Sequence, residues 1–128
     1  MSQSDGRRTA RVAERVRIEL AELLQRGELR DPRTRDVIIS GVRVTPDLQM
    51  ARVYVRLLTD DPNRHEPLVD VLNRAAGFLR RQLGKRLDLR RSPELEFFWD
   101  ESVDRALRME ALFDELRDDK STSGGDDE

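Results

Sequence analysis

Between Arg74 and Arg91 the chain carries seven cations, Arg74, Arg80, Arg81, Lys85, Arg86, Arg90 and Arg91, against one acid, Asp88. Six of the seven are arginine. A planar guanidinium binds phosphate through two parallel N–H groups and stacks on bases, so the chemistry open to this cluster is recognition of a polyanion. Arg74, Gly77, Arg81 and Lys85 recur at spacings of three and four, which puts them on one helical face. Gly77 closes the tripeptide Ala75-Ala76-Gly77 inside a helical pattern, where glycine costs about 1 kcal/mol relative to alanine. A kink, or a close approach of backbone to a phosphate, would account for it. The competing reading is a helix that tolerates a glycine against a packed neighbour.

Two other groups share this chemistry. Arg8, Arg11 and Arg15 form a stripe near the N-terminus with Arg7 beside it, and Arg43, Arg52, Tyr54 and Arg56 fall on the polar side of two strands, with Tyr54 available for stacking. For every group the alternative is a solvated face interleaved with acids. That alternative is strongest for the strands, where arginine also keeps an exposed sheet soluble. Arginine is heavily used throughout, since only Lys85 and Lys120 are lysine among 24 basic residues, and a GC-rich genome would give the same bias.

No enzyme constellation accompanies these cations. His65 is the only histidine and sits in D-D-P-N-R-H-E-P, which reads as an exposed loop. There is no cysteine, hence no disulfide framework and no thiolate metal site. Phosphate loops, dinucleotide fingerprints and zinc spacings are missing. No cofactor and no small-molecule substrate are expected.

The elements that position the cations follow from periodicity. Arg7–Arg26 is a helix with Val12, Val16, Leu20, Leu23 and Leu24 inward, and Gly27 stands where it should stop. Val37–Thr45 is a β-branched strand with Gly41 a candidate bulge. Thr45-Pro46-Asp47-Leu48-Gln49 makes a turn. In Met50–Leu58, Ala51, Val53, Val55 and Leu57 alternate with Arg52, Tyr54 and Arg56, so one face is packed and one wet. Pro67 suits the first turn of the next helix, whose stripe runs Leu68, Leu72, Ala75, Leu79, Leu83, Leu87. Pro93 ends it. Leu95, Phe97 and Trp99 then alternate with Glu94, Glu96 and Phe98 in a third strand. Asp100 or Ser102 caps a last helix whose stripe is Ala106, Met109, Phe113 and Leu116. All these stripes, with Phe97 and Trp99, are expected in the core.

The chain has 128 residues and a net charge of −2, but the charge is divided. Residues 1–99 hold 20 basic and 15 acidic side chains, while residues 100–128 hold 4 and 11. A basic domain with an acidic C-terminal segment can still meet an anion. Three units are expected: a flexible N-terminus over 1–6, one α+β domain over 7–117, and a disordered acidic tail over 118–128. No apolar run approaches the roughly 18 residues of a membrane span, and no signal peptide is evident. A cytoplasmic monomer that avoids membranes is the expectation.

The order α-β-β-α-kink-α-β-α, with helices on one face of a three-stranded sheet, resembles a type II KH-like domain. A KH domain carries a G-x-x-G loop between its central helices. Here the place reads Ala75-Ala76-Gly77, which resembles the interhelical kink of the bacterial ribosome-binding factor A family. R-R-T-A-R-V-A-E-R-V-R-I-E-L-A-E-L-L-Q-R resembles that family's first helix. D-P-R-T-R-D-V-I-I-S-G-V-R-V-T-P-D-L-Q-M-A-R-V-Y-V resembles its linker and hairpin, and R-S-P-E-L-E-F-F-W-D-E-S-V-D-R-A-L-R-M-E-A-L its final strand and helix start. Together they span roughly Arg7 to Leu116.

The resemblance implies a non-catalytic ribosome biogenesis factor. It would bind free 30S subunits or precursors rather than 70S ribosomes, near the 3′ minor domain and decoding region. It would assist late 16S rRNA maturation, including 5′-end processing, and matter most in the cold. Position and resemblance together point to the kink group Arg74, Ala75, Gly77, Arg80, Arg81 and Lys85 as RNA-binding; clustered charge adds Arg86, Arg90 and Arg91, then Arg8, Arg11 and Arg15. The alternative function is a protein–protein docking module for a ribosomal protein or GTPase.

Overall fold

The computed structural model describes the backbone of residues 2–59, 61–87 and 89–126, and the side chains of residues 6–59, 61–87 and 89–118. The flexible N-terminus and the acidic tail expected from sequence thus lie outside the described side chains, apart from Gly6 and Asp118. The elements run α1 (Ser2–Gln25), β1 (Val37–Val44), β2 (Met50–Leu57), α2 (His65–Arg74), α3 (Ala76–Arg86), β3 (Glu94–Trp99) and α4 (Ser102–Asp126). Short 3-10 turns at Pro32–Thr34 and Pro62–Arg64 are each capped by the preceding aspartate, Asp31 and Asp61.

The sheet has the order β1-β2-β3, with β1/β2 antiparallel and β2/β3 parallel. Three strands of mixed direction need one hairpin and one helical crossover, which the Thr45–Gln49 turn and the α2–α3 pair provide. In the turn Leu48 takes a positive φ of 61°, and Asp47 Oδ1 accepts from Thr45 Oγ1 at 2.6 Å and from the Gln49 amide at 3.1 Å. The β1 bulge falls at Ser40, between Ile39 and Gly41, one residue before the glycine expected to carry it.

All the buried side chains lie on one face of the sheet. Val12, Val16, Leu20 and Leu23 of α1, Ala51, Val53, Val55 and Leu57 of β2, Leu68 and Leu72 of α2, Leu79 and Leu83 of α3, and Leu95 and Phe97 of β3 form one core. α1 packs on β1 and α3, while α2 and α3 pack on β3. The period-2 and period-3.6 patterns thus converge on one layer of helix over one layer of sheet. α1 stops in a Schellman turn: Gly27 has φ +73°, its amide reaches Leu24 O, and the Glu28 amide reaches Leu23 O, both at 3.3 Å.

Three expectations are corrected. The helix break lies at Ala75 (φ −87°, ψ 1°), not at Gly77, which sits in the first turn of α3. His65 is not an exposed loop residue; it opens α2 and stacks on Trp99 with ring centroids 3.5 Å apart. The α4 stripe is not core: Met109, Phe113 and Leu116 are each about half exposed, as are Leu107 and Leu112. The spacing marked an apolar face correctly, but spacing does not say what covers it.

Candidate nucleic-acid interface

The break between α2 and α3 is anchored from below. Asn73 Nδ2 donates to Phe97 O at 3.1 Å and its Oδ1 accepts from the Phe97 amide at 2.8 Å. β3 is an edge strand, and Asn73 supplies the partner its outer edge lacks. The last turn of α2 is therefore pinned to the sheet two residues before the chain changes direction.

Beyond the break, α3 begins without a side-chain cap and with no acid in its first turn. Its positive dipole end is thus uncompensated, the arrangement that favours an anion. The Arg81 guanidinium reaches back over this turn, its Nη1 lying 3.8 Å from where a Cβ on Gly77 would stand. Arg74, Gly77, Arg81 and Lys85 are exposed, and no carboxylate among the described residues pairs with the three cations.

The neighbouring arginines divide into two kinds. Arg80 is committed to structure: its Nε donates to Ser92 O at 3.1 Å and its Nη1 lies 3.8 Å from Glu94. Arg86 Nη1 lies 3.2 Å from Glu19 and 3.4 Å from Glu22 of α1, and these carboxylates raise its pKa, chiefly through the Glu19 hydrogen bond. Arg15 Nη2 makes a long 3.4 Å contact with Arg86 O. Arg8, Arg11, Arg90 and Arg91 are exposed without a carboxylate partner among the described residues. The cluster legible in the sequence is therefore part scaffold and part open surface.

Two contributors were not singled out from the sequence. Asn73 is one. Gly84 is the other: a Cβ there would meet Ser92 Oγ at 3.3 Å, so the segment after α3 lies tightly against this helix position. Ser92 Oγ returns a 3.3 Å hydrogen bond to Arg80 O, holding Arg90 and Arg91 close to α3. The available signal was a second glycine seven residues after the first in one helix. Among the described residues there is no group of acids and histidine that could hold a metal ion, and no helix is long and apolar enough to cross a membrane.

This arrangement defines a type II KH-like α+β domain, with an uncapped helix break where a KH domain would carry G-x-x-G. The comparisons with known proteins agree. The family model for ribosome-binding factor A matches residues 8–113. The Nitrosococcus oceani ribosome-binding factor A is 45% identical over 120 residues, covering 94% of this chain and 92% of the relative. That of Aromatoleum aromaticum is 44% identical over 122 residues, covering 94% of each. The crystal structure of ribosome-binding factor A from Thermus thermophilus superposes with a TM-score of 0.61 at 31% identity, over 71% of this chain and 94% of that one. The chain belongs to the ribosome-binding factor A family. A Thermus thermophilus homology model fitted into the cryo-EM map of a 30S complex is also similar, with a TM-score of 0.55 and 30% identity over 68% of this chain and 89% of that one.

Proposed function

We propose that this chain binds the free 30S ribosomal subunit and its precursors, rather than the 70S ribosome, and assists late 16S rRNA maturation, including 5′-end processing, without catalysing any step. It acts as a cytoplasmic monomer and is needed most in the cold, where misfolded RNA rearranges slowly. Family membership and the 30S complex of the Thermus thermophilus relative support the ribosomal target. The single observation that carries the RNA-binding site is the unpaired Arg74–Arg81–Lys85 stripe beside the uncapped start of α3. Such a surface neutralises phosphates and releases counterions, so its affinity falls steeply with salt. Folded RNA offers it backbone and shape rather than base edges.

Co-sedimentation with purified 30S and 70S particles across a salt series tests the reading. Salt-sensitive binding to 30S alone, weakened by Arg81→Glu with Lys85→Glu, is the expected result. Equal binding to 70S, or none to 30S, would overturn it. A second reading, a docking module for a ribosomal protein or GTPase, draws on the exposed stripe of α4. It requires affinity that survives both RNase and the loss of Arg81 and Lys85.

A further inference from the structure

The face of the sheet turned away from α1, α2 and α3 carries a second arrangement, separate from the helix break. Its central row is Gly41 on β1, Tyr54 on β2 and Phe98 on β3, joined by the strand register. Tyr54 and Phe98 stack with ring centroids 5.7 Å apart and planes 28° from parallel. On the other side of Tyr54 the neighbour is Gly41, where an added Cβ would meet nothing within 4 Å. The tyrosine ring is thus supported on one flank and bare on the other. Both rings, Gly41 and Arg43 line an open groove of about 660 Å³ whose other end is formed by Asp100, Glu101 and Arg105, so a phosphate is favoured only at the arginine end.

The next row on this face sets Arg43 directly opposite Arg52. Like charges facing each other across strands are destabilising, and neither guanidinium has a carboxylate within ion-pair distance among the described residues. Glu96 is the register partner of Arg52 on its other side yet forms no ion pair with it. Rows on one face of a sheet are about 6.8 Å apart, a span that a ribose-phosphate covers. An aromatic shelf with an empty slot, one row from two unpaired guanidiniums, fits one nucleotide: base on Tyr54, phosphate between the arginines.

We propose that this open sheet face is a binding site for one nucleotide of unpaired, single-stranded RNA. Base–aromatic stacking supplies most of the affinity and tolerates any base. Arg43 and Arg52 hold the phosphate and fix the strand's direction across the sheet. The site adds to the helix-break interface and does not depend on it, since the two use different faces of the domain.

Fluorescence anisotropy of the full chain with a labelled, unstructured RNA hexanucleotide tests the proposal. Tyr54→Leu removes stacking while keeping bulk, Gly41→Leu fills the slot in open space, and Arg43→Gln with Arg52→Gln removes the phosphate contacts. Each is expected to weaken binding about tenfold, with circular dichroism and thermal melts checking that the domain still folds. Arg81→Ser with Lys85→Ser should lower 30S co-sedimentation and the salt dependence of hexanucleotide binding, while the losses caused by Tyr54→Leu and Gly41→Leu persist in that background. Failure of the 30S reading therefore leaves this result readable by itself. Hexanucleotide binding that disappears with Arg81 and Lys85 but is indifferent to Gly41→Leu would assign all RNA affinity to the helix break and overturn the proposal. So would no binding at millimolar RNA, or binding of a glutamate-rich peptide that needs Arg43 and Arg52 but not Tyr54, which would mark a protein-docking face.

Discussion

Asn73 satisfies both backbone groups of Phe97, donating to its carbonyl at 3.1 Å and accepting from its amide at 2.8 Å. One side chain thereby closes the free edge of β3 and holds the end of α2 beside the break. Substitution by leucine leaves the Phe97 amide and carbonyl without these partners. An unsatisfied buried group costs about 1–3 kcal/mol, so Asn73→Leu should lower the stability measured in urea by that amount with an unchanged slope. Asn73→Asp keeps the acceptor and loses the donor, and should fall between. Urea melts followed by Trp99 fluorescence measure both.

The two glycines of α3 make opposite predictions. Gly77 has a helical backbone and open space beyond an ordinary 3.8 Å contact to Arg81. Gly77→Ala is therefore expected to stabilise by about 0.5–1 kcal/mol. Gly84 faces Ser92 Oγ at 3.3 Å, so Gly84→Val must push the 90–92 segment outward and break the Arg80–Ser92 hydrogen bonds. A destabilisation of about 1–3 kcal/mol is expected there. Thermal melts of the pair decide, and a Gly77→Ala protein less stable than the parent would show that the break needs glycine after all.

The base of α4 makes a prediction in pH. Asp104 accepts from Trp99 Nε1 at 3.1 Å and from Arg56 at 3.4 Å, and these hydrogen bonds hold its carboxyl below the usual range. Arg56 also lies over the Trp99 ring, 5.1 Å from its centroid, and donates to Asp100 O at 2.7 Å. A carboxyl with a lowered folded pKa binds fewer protons folded than unfolded. Its contribution is fully present above the unfolded value of about 3.9 and is lost as pH falls through the folded value. Asp104→Asn should therefore flatten the stability profile below about pH 4. It should also weaken the Arg56 contact at neutral pH. Acid titration of Trp99 emission in both proteins provides the check.

How much of this was legible in sequence depends on which physical rule each residue obeys. The core stripes of α1 and β2 were readable because burial imposes a period, and Gly27 because a helix end needs positive φ. Gly77 misled because propensity marks an unusual residue without saying what crowds it. The crowding is at Gly84 instead, and it comes from Ser92, in a segment that folds back only after α3 has ended. His65 misled because stacking on Trp99 is a long-range contact that no local pattern encodes. The cation cluster was visible as composition, but which arginines are spent on Glu19, Glu22 and Glu94 is a tertiary fact.

That division of the arginines separates stability from binding. Arg86 joins α3 to two α1 carboxylates with its side chain largely covered, whereas Arg81 and Lys85 are exposed and join nothing acidic among the described residues. Arg86→Gln should therefore lower the melting temperature, by an amount set by leaving Glu19 and Glu22 beside each other without their cation. Arg81→Gln and Lys85→Gln should leave melting within experimental error, because exposed charges without partners contribute little to folding. Binding should show the reverse order: removing one phosphate-neutralising cation reduces the slope of log affinity against log salt by about 0.7–0.9. Salt titrations of 30S affinity for the three variants distinguish the cases, since a stability defect shifts all affinities together without changing that slope. If Arg86→Gln lowered the slope as much as Arg81→Gln, Arg86 would leave its α1 carboxylates on binding, and the scaffold role read from its ion pairs would be wrong.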